Sequence, residues 1–117
     1  MNSGWIKTTG STFLILIVVL LTGGCVTTNQ LAQKGAVNRA RAAMAEGNYE
    51  FALQRLEAAE TYDELQPDNK AELLYLKGVC HENLNQPAKA RQMFGQAAEK
   101  FPETSFGKQA KQKMAVP

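Results

Sequence analysis

The sequence predicts an all-α protein, a short α-solenoid in which two helix pairs are followed by one capping helix. From residue 31 onwards the chain is rich in Ala, Glu, Gln, Lys, Arg and Leu, which all favour helices. No stretch alternates apolar and polar residues with a period of two, so strands are not expected. Turn-forming residues separate the apolar segments at regular intervals, which indicates paired helices.

Residues 1–24 precede the helical part and have the pattern of a targeting segment. They begin with a polar stretch that carries Lys7 and no acid, continue with an unbroken apolar run at 13–21, and end in Gly23 and Gly24. A basic start, a short apolar centre and small residues are typical of a secretory signal peptide. As a helix, the apolar run would span about 14 Å, roughly half of a hydrocarbon core of about 30 Å. We therefore expect residues 1–24 to be removed.

Cys25 follows this segment directly, in the motif LTGGC. The motif resembles the lipobox of bacterial lipoproteins, in which a peptidase cuts before a cysteine that already carries diacylglycerol. Thr22 stands where those proteins usually have Leu. The resemblance implies that Cys25 carries diacylglycerol and an N-acyl chain such as palmitate, and that the chain needs no other cofactor. Each buried methylene contributes about 0.8 kcal/mol, so two or three acyl chains hold a protein on a bilayer. The alternative is an uncleaved signal anchor with Cys25 as a plain thiol.

The residue after Cys25 and the charge balance indicate where the processed chain works. Val26 rather than Asp follows the cysteine. By resemblance to the sorting pattern of Gram-negative lipoproteins, this residue implies the periplasmic face of the outer membrane. The processed chain holds twelve Lys or Arg and eleven Asp or Glu. Such a balance offers no strong field to nucleic acid, so we expect no nucleic-acid partner.

Five helices are expected between well-marked breaks. Residues 25–30 are assigned to the lipidated cysteine and a polar tether, and residues 31–117 to a helical domain. A Gly-Asn pair forms the first break, and each later break contains proline, which cannot continue a preceding helix. The predicted helices cover residues 31–46, 49–64, 69–84, 87–100 and 104–114.

Small and large residues recur at a fixed sequence offset in the two predicted helix pairs. We call the separation of Ala40 from Gly78 along the sequence the repeat offset. The same offset separates Ala52 from Ala90, Ala59 from Ala97, Leu56 from Phe94, and Gly47 from Asn85. Close antiparallel packing requires small side chains where two backbones approach and a large one where the groove widens. The last of these matches places both Gly47 and Asn85 at helix–helix turns.

Residues 71–104 resemble one tetratricopeptide repeat. The matching residues of this second copy are Gly78, Ala90, Phe94, Ala97 and Pro102. Lys77 and His81 stand where Leu and Tyr are usual. A first copy starts near residue 33 and matches at Gly47, Tyr49, Ala52, Leu56 and Ala59. The resemblance implies a TPR-like α-solenoid that binds proteins rather than catalysing a reaction.

The last predicted helix has the pattern of a terminal cap. Phe106, Ala110 and Met114 form an apolar stripe at i, i+4 and i+8. The residues expected to face water are Lys108, Lys111 and Lys113. Two helix pairs and a cap make a marginal core, since about three repeats are normally needed. We therefore expect the end faces to be completed by a protein partner or by self-association into a homo-oligomer.

The residue types needed for catalysis or metal binding are scarce. His81 is the single histidine of the chain and lies next to Cys80, the one cysteine besides Cys25. Adjacent helical residues point about 100° apart, so these two cannot form a nucleophile–base pair. A zinc site needs three or four ligands. We expect no catalytic site, no metal site and a packed Cys80 thiol; the alternative is an exposed thiol that forms an intermolecular disulfide.

A protein-binding groove is the functional site that the resemblance implies, because the first helix of each repeat lines a concave surface in this family. By register, its residues are Lys34, Val37, Arg41, Met44, Glu72, Tyr75, Val79, Glu82 and Asn83. This mixture of apolar and charged groups suits a peptide or a partner helix. The alternative is that the apolar members only pack against neighbouring helices. The lysines of the last helix are a second candidate surface, with a solvated face as the alternative.

These expectations combine into a function. We expect an outer-membrane lipoprotein with a TPR domain that acts as a non-catalytic adaptor or scaffold for a protein partner of the cell envelope. One alternative is a structural subunit of a periplasmic ring or filament. Another is a pilotin-like assembly factor for an outer-membrane machine.

Overall fold

The computed structural model describes residues 28–62 and 65–116, and every regular element in this part of the chain is a helix. The five helices are α1 (28–45), α2 (Tyr49–Glu60), α3 (Pro67–Asn83), α4 (Pro87–Lys100) and α5 (Ser105–Ala115). The predicted all-α class is therefore confirmed for the described residues. The predicted signal peptide and Cys25 lie outside them.

The helix boundaries differ from the prediction where a local hydrogen bond or a proline decides them. α2 ends at Glu60 rather than residue 64, because the backbone N–H and the hydroxyl of Thr61 both donate to the Ala58 carbonyl. α3 begins at Pro67 rather than residue 69, since a proline at the first helical position loses no intrahelical hydrogen bond. α1 includes the polar, exposed residues 28–30, which the sequence assigned to the tether.

Residues 33–117 form one compact unit, in which α3 is the central helix. Residues 1–32 form a second unit, of which the structure describes 28–32 as helical. In the larger unit the buried residues fall into two clusters. The first cluster contains Ala36, Val37, Ala40 and Ala43 of α1, Ala52, Leu56 and Ala59 of α2, and Leu73, Leu76 and Cys80 of α3. The second contains Ala90, Phe94 and Ala97 of α4 and Ala110 of α5, with Leu74, Tyr75 and Val79 of α3 packed against them.

The turn after α1 and the turn after α3 have the same backbone geometry and are separated by the repeat offset. Gly47 has φ +79° and Asn85 has φ +56°, so both are left-handed. Gly47 N–H donates to the Met44 carbonyl (3.0 Å), and Asn48 N–H donates to the Ala43 carbonyl (2.8 Å). The turn after α3 repeats the pattern: Asn85 N–H donates to the Glu82 carbonyl (3.2 Å), and Gln86 N–H donates to the His81 carbonyl (2.9 Å). These paired bonds define the Schellman motif. The predicted equivalence of Gly47 and Asn85 at helix–helix turns is confirmed.

The buried small residues also follow the predicted repeat. All six small helical positions matched by the repeat offset are buried, as are Leu56 and Phe94. Gly78 has a specific reason to lack a side chain, since a Cβ there would lie 2.5 Å from the Phe94 ring. At the start of α5, Thr104 caps the helix by accepting a hydrogen bond from Gly107 N–H at 3.0 Å.

Candidate functional site

A cavity of about 190 Å³ lies between α1 and the start of α3. Its lining residues are Gln33, Lys34, Val37, Asn38 and Arg41 of α1, and Asn69 and Glu72 of α3. Four of the nine residues predicted to form the groove therefore meet here, namely Lys34, Val37, Arg41 and Glu72. They come together because positions 34, 37, 38 and 41 share one face of α1.

The cavity has an apolar floor and a charged rim. Val37 is only 7% exposed, whereas the guanidinium of Arg41 crosses to α3 and forms an ion pair with Glu72. Lys34 is exposed and takes part in no ion pair among residues 28–62 and 65–116. Since Glu72 already pairs with Arg41, the Lys34 ammonium is the cation available to an acidic group of a ligand.

Three amide side chains complete the lining and were missed by the sequence reasoning. Gln33, Asn38 and Asn69 each carry donors and an acceptor, which match the N–H and C=O groups of a peptide backbone. Gln33 is 7% exposed, so its amide belongs to the wall rather than to the rim. Asn38 lies one helical turn from both Lys34 and Arg41, a spacing that could have identified it.

Three other predicted groove residues pack against the core. Met44 packs against the first cluster and Val79 against the second. Tyr75 packs against both clusters, with its ring 5.6 Å from Phe94 and 5.5 Å from Phe106 between centroids. Tilted aromatic pairs at these distances stabilise the junction of α3, α4 and α5. These three side chains are therefore part of the packing between helices.

Glu82 and Asn83 lie at the other end of α3, away from the first cavity. Glu82 lines a second cavity of about 150 Å³ with residues of α4 and α5. Lys113 donates to a Glu82 carboxylate oxygen at 3.0 Å and lies 5.9 Å from the centre of the Phe94 ring. Asn83 donates to the Val79 carbonyl at 2.8 Å. The nine predicted groove residues therefore do not line one cavity: four line the first, Glu82 lines the second, and Asn83 lines neither.

Cys80 is fully buried against the first cluster. Burial raises the pKa of its thiol to about 11, because the thiolate is poorly solvated there. The neighbouring His81 places Nδ1 2.7 Å from the Gln86 amide oxygen. The exposure that an intermolecular disulfide would require is therefore not met at Cys80. Within the described ranges, no three His, Cys, Asp or Glu residues are grouped as metal ligands.

The lysines of α5 are exposed as predicted, although Lys113 is held by Glu82. Lys108 and Lys111 take part in none of the ion pairs found in the described part of the chain. In the same part of the chain, no helix has both the length and the hydropathy needed to cross a membrane.

Comparison with known proteins gave no match to any family model, to any curated protein or to any solved structure. The function is therefore a proposal that rests on the sequence motifs and on the geometry of the cavity between α1 and α3.

Proposed function

We propose that this chain is a lipoprotein, anchored through Cys25 to the periplasmic face of the outer membrane, that acts as a non-catalytic adaptor. It holds a segment of a protein partner in the cavity between α1 and α3. The observation that carries this proposal is the meeting of Lys34, Val37, Arg41 and Glu72, from two helices, in one open cavity.

The proposal includes a TPR-like solenoid. Its support is that whole backbone features recur at the repeat offset. α2 begins at Tyr49 and α4 at Pro87, and the two Schellman turns before them are separated by the same offset. In such a solenoid the first helices of successive pairs lie side by side and form a continuous surface.

The lining suits a polypeptide ligand better than a small metabolite. The cavity is open, and its amides are placed to bond with the backbone of an extended segment or with the polar side of a helix. An apolar partner side chain fits over Val37, and an acidic one pairs with Lys34. The lipid on Cys25 confines the adaptor to a surface, which raises the effective concentration of the bound partner near that surface.

Site-directed photo-cross-linking in the intact cell tests the proposal. A photoreactive residue at Asn38, inside the cavity, is expected to capture one defined envelope protein. The same residue at Lys89, exposed on α4, is the matched control. Lys34→Glu is expected to reduce the Asn38 product several-fold, because it replaces the ammonium available to the ligand with a carboxylate. An Asn38 product no more specific than the Lys89 product would contradict the adaptor function.

The same preparation tests the anchor. Mass spectrometry of the N-terminal peptide is expected to find Cys25 as the first residue, with a mass increase equal to diacylglycerol and an N-acyl chain. Cys25→Ser is expected to leave the protein without lipid and unprocessed. An unmodified Cys25 in the membrane fraction would support the signal-anchor alternative.

A further inference from the structure

Charge is distributed unevenly along the chain. Residues 46–72 hold eight of the eleven acidic residues and two basic ones, whereas residues 73–117 hold seven basic and three acidic residues. α2 packs in the first cluster and α5 in the second, on different sides of α3. α2, which lies in the acidic stretch, and α5, which carries three lysines and no acidic residue, therefore pack on different sides of the central helix.

On one face of α2 every charged residue is acidic. Glu50, Gln54 and Glu57 lie at i, i+4 and i+7, share one side of the helix and are all exposed. We call these three residues the acidic face. Phe51, one of three large apolar side chains exposed among the described residues, lies beside it and is 40% exposed. The half-buried Arg55 lies 4.8 Å from the centre of the Phe51 ring, outside the acidic face.

On one face of α5 every charged residue is basic. Lys108, Lys111 and Gln112 lie at i, i+3 and i+4 and are exposed. We call these residues the basic face. Val116, directly after the helix, is 70% exposed, so this face also has a large apolar side chain beside it. Each of the two faces thus combines charge of one sign with one exposed apolar group.

The charged residues of these faces form no ion pair with any other described residue. The three ion pairs of the described residues are Arg41–Glu72, Lys77–Glu60 and Lys113–Glu82. None of them includes a charged residue of the acidic or the basic face. Because both faces are exposed, they do not cover each other within one chain.

We propose that copies of this chain associate head to tail, with the basic face of one copy on the acidic face of the next. The occupant of each face is therefore a second copy of this chain. Two different faces meet, so the contact is heterologous and builds either a closed ring or an open chain of copies. It does not use the cavity between α1 and α3, and so it goes beyond the proposed adaptor function.

The strength of this contact follows from its chemistry. Exposed ion pairs contribute little individually, and salt screens them over about 8 Å at physiological ionic strength. Association is therefore weak in dilute solution and sensitive to salt. Anchoring all copies on one surface raises their local concentration and favours the contact.

Disulfide trapping with charge reversal tests the proposal on full-length protein in native membranes. One tagged chain carries Gln54→Cys and a differently tagged chain carries Gln112→Cys, which places one thiol in each face. Mild oxidation is expected to join the two tags, as seen by non-reducing electrophoresis. The buried Cys80 thiol does not compete, and chains without the new cysteines give the background.

The charge-reversed variants make the test specific. Lys108→Glu/Lys111→Glu gives two acidic faces, and Glu50→Lys/Glu57→Lys gives two basic faces. Each variant alone is expected to lose roughly tenfold in cross-linking. Mixing the two variants restores it, because each reversed face then meets its complement. Arg39→Glu/Lys89→Glu, at exposed positions on α1 and α4, carries the same change in net charge as the first variant and is expected to cross-link normally.

Two results would overturn the proposal. The first is a mixture of the reversed variants that cross-links no better than either alone. The second is the absence of a cross-link between the Gln54→Cys and Gln112→Cys chains with unreversed charges, together with a loss of binding to vesicles of anionic lipid in Lys108→Glu/Lys111→Glu. The basic face would then be a membrane contact. Neither result affects the photo-cross-link at Asn38, so failure here is distinguishable from failure of the adaptor function.

Discussion

The two buried clusters solve the same packing problem with different side chains. At one equivalent level the first cluster has Ala40 and Leu56, whereas Gly78 and Phe94 stand at the matching positions beside the second. The larger ring of Phe94 lies 2.5 Å from where a Cβ at position 78 would be, and glycine leaves room for it. The difference teaches that the repeat preserves the backbone path and the filled volume, while the individual residues change together.

The central helix α3 and the first helix α1 also carry different residues at positions that the repeat offset matches. α3 buries Leu73, Leu76 and Cys80 against the first cluster, and it presents another side to the second. The positions of α1 that the repeat offset matches to these three are Gly35, Asn38 and Ala42, and none of them is buried. A helix packed on two sides needs apolar residues on both, whereas α1 needs them on one.

The largest predicted effect comes from breaking the glycine–phenylalanine match of the second cluster. Gly78→Ala is expected to lower the free energy of unfolding by about 3 kcal/mol, because its methyl group overlaps the buried Phe94 ring. Adding Phe94→Leu copies the first cluster and is expected to recover part of the loss. Urea denaturation of the full chain in mild detergent, followed by circular dichroism, measures both.

Gly95→Ala is the matched control on α4. A Cβ there would lie 3.8 Å from the Met114 sulfur, an ordinary contact, so this variant is expected to gain about 0.5 kcal/mol from helix propensity. Strictly additive losses for Gly78→Ala and Phe94→Leu would contradict the idea that these two positions compensate each other.

A smaller effect, about 2 kcal/mol, is expected from Cys80 at high pH. Burial raises the pKa of its thiol from the usual 9.0 to about 11, so the folded protein retains a proton that the unfolded chain releases. Because the thiolate is the disfavoured form, the cost of burial is absent below pH 9 and grows as the pH rises from 9 to 11. Stability is therefore lost over that interval. The difference in unfolding free energy between the native chain and Cys80→Ala, measured at pH 8 and at pH 11, gives the contribution of the Cys80 thiol to this loss.

Ala42 of α1 is the position that the repeat offset matches to Cys80, and it serves as an exposed comparison. Ala42→Cys, in a chain that also carries Cys80→Ala, places a thiol at an exposed site where burial has no effect. Its stability difference from Cys80→Ala is expected to be the same at pH 8 and pH 11. A decline as large as that of the native chain would show that thiol burial is not the cause.

Most helix and turn positions could be predicted from the sequence, because the small residues and the turn residues recur at the repeat offset. The predicted breaks at Gly47 and Asn85 correspond to real Schellman turns, and the buried small positions follow the repeat offset. The end of α2 could not be predicted, since Thr61 closes it through bonds to the Ala58 carbonyl that no pattern reveals.

The candidate site was less predictable than the helices. Placing Val79 and Glu82 in one groove assumed that all outward residues of α3 share a surface. The structure packs Val79 against the second cluster and directs Glu82 to Lys113 of α5. Which side of α3 is covered depends on the position of α5, a contact between residues distant in sequence that helical periodicity does not encode.

The smallest predicted effect, about 1 kcal/mol or less, compares the two left-handed turn residues. The left-handed conformation favours glycine, which is present at position 47. Asn85 adopts the same conformation, with φ +56°, although it carries a side chain. Gly47→Ala is therefore expected to destabilise the protein by about 1 kcal/mol, and Asn85→Gly to stabilise it by a few tenths. Urea denaturation midpoints of the two variants and the native chain give both signs in one series. Because the hydrogen bonds of the two turns are alike, two shifts of the same sign would show that their side-chain environments, rather than φ, decide the preference.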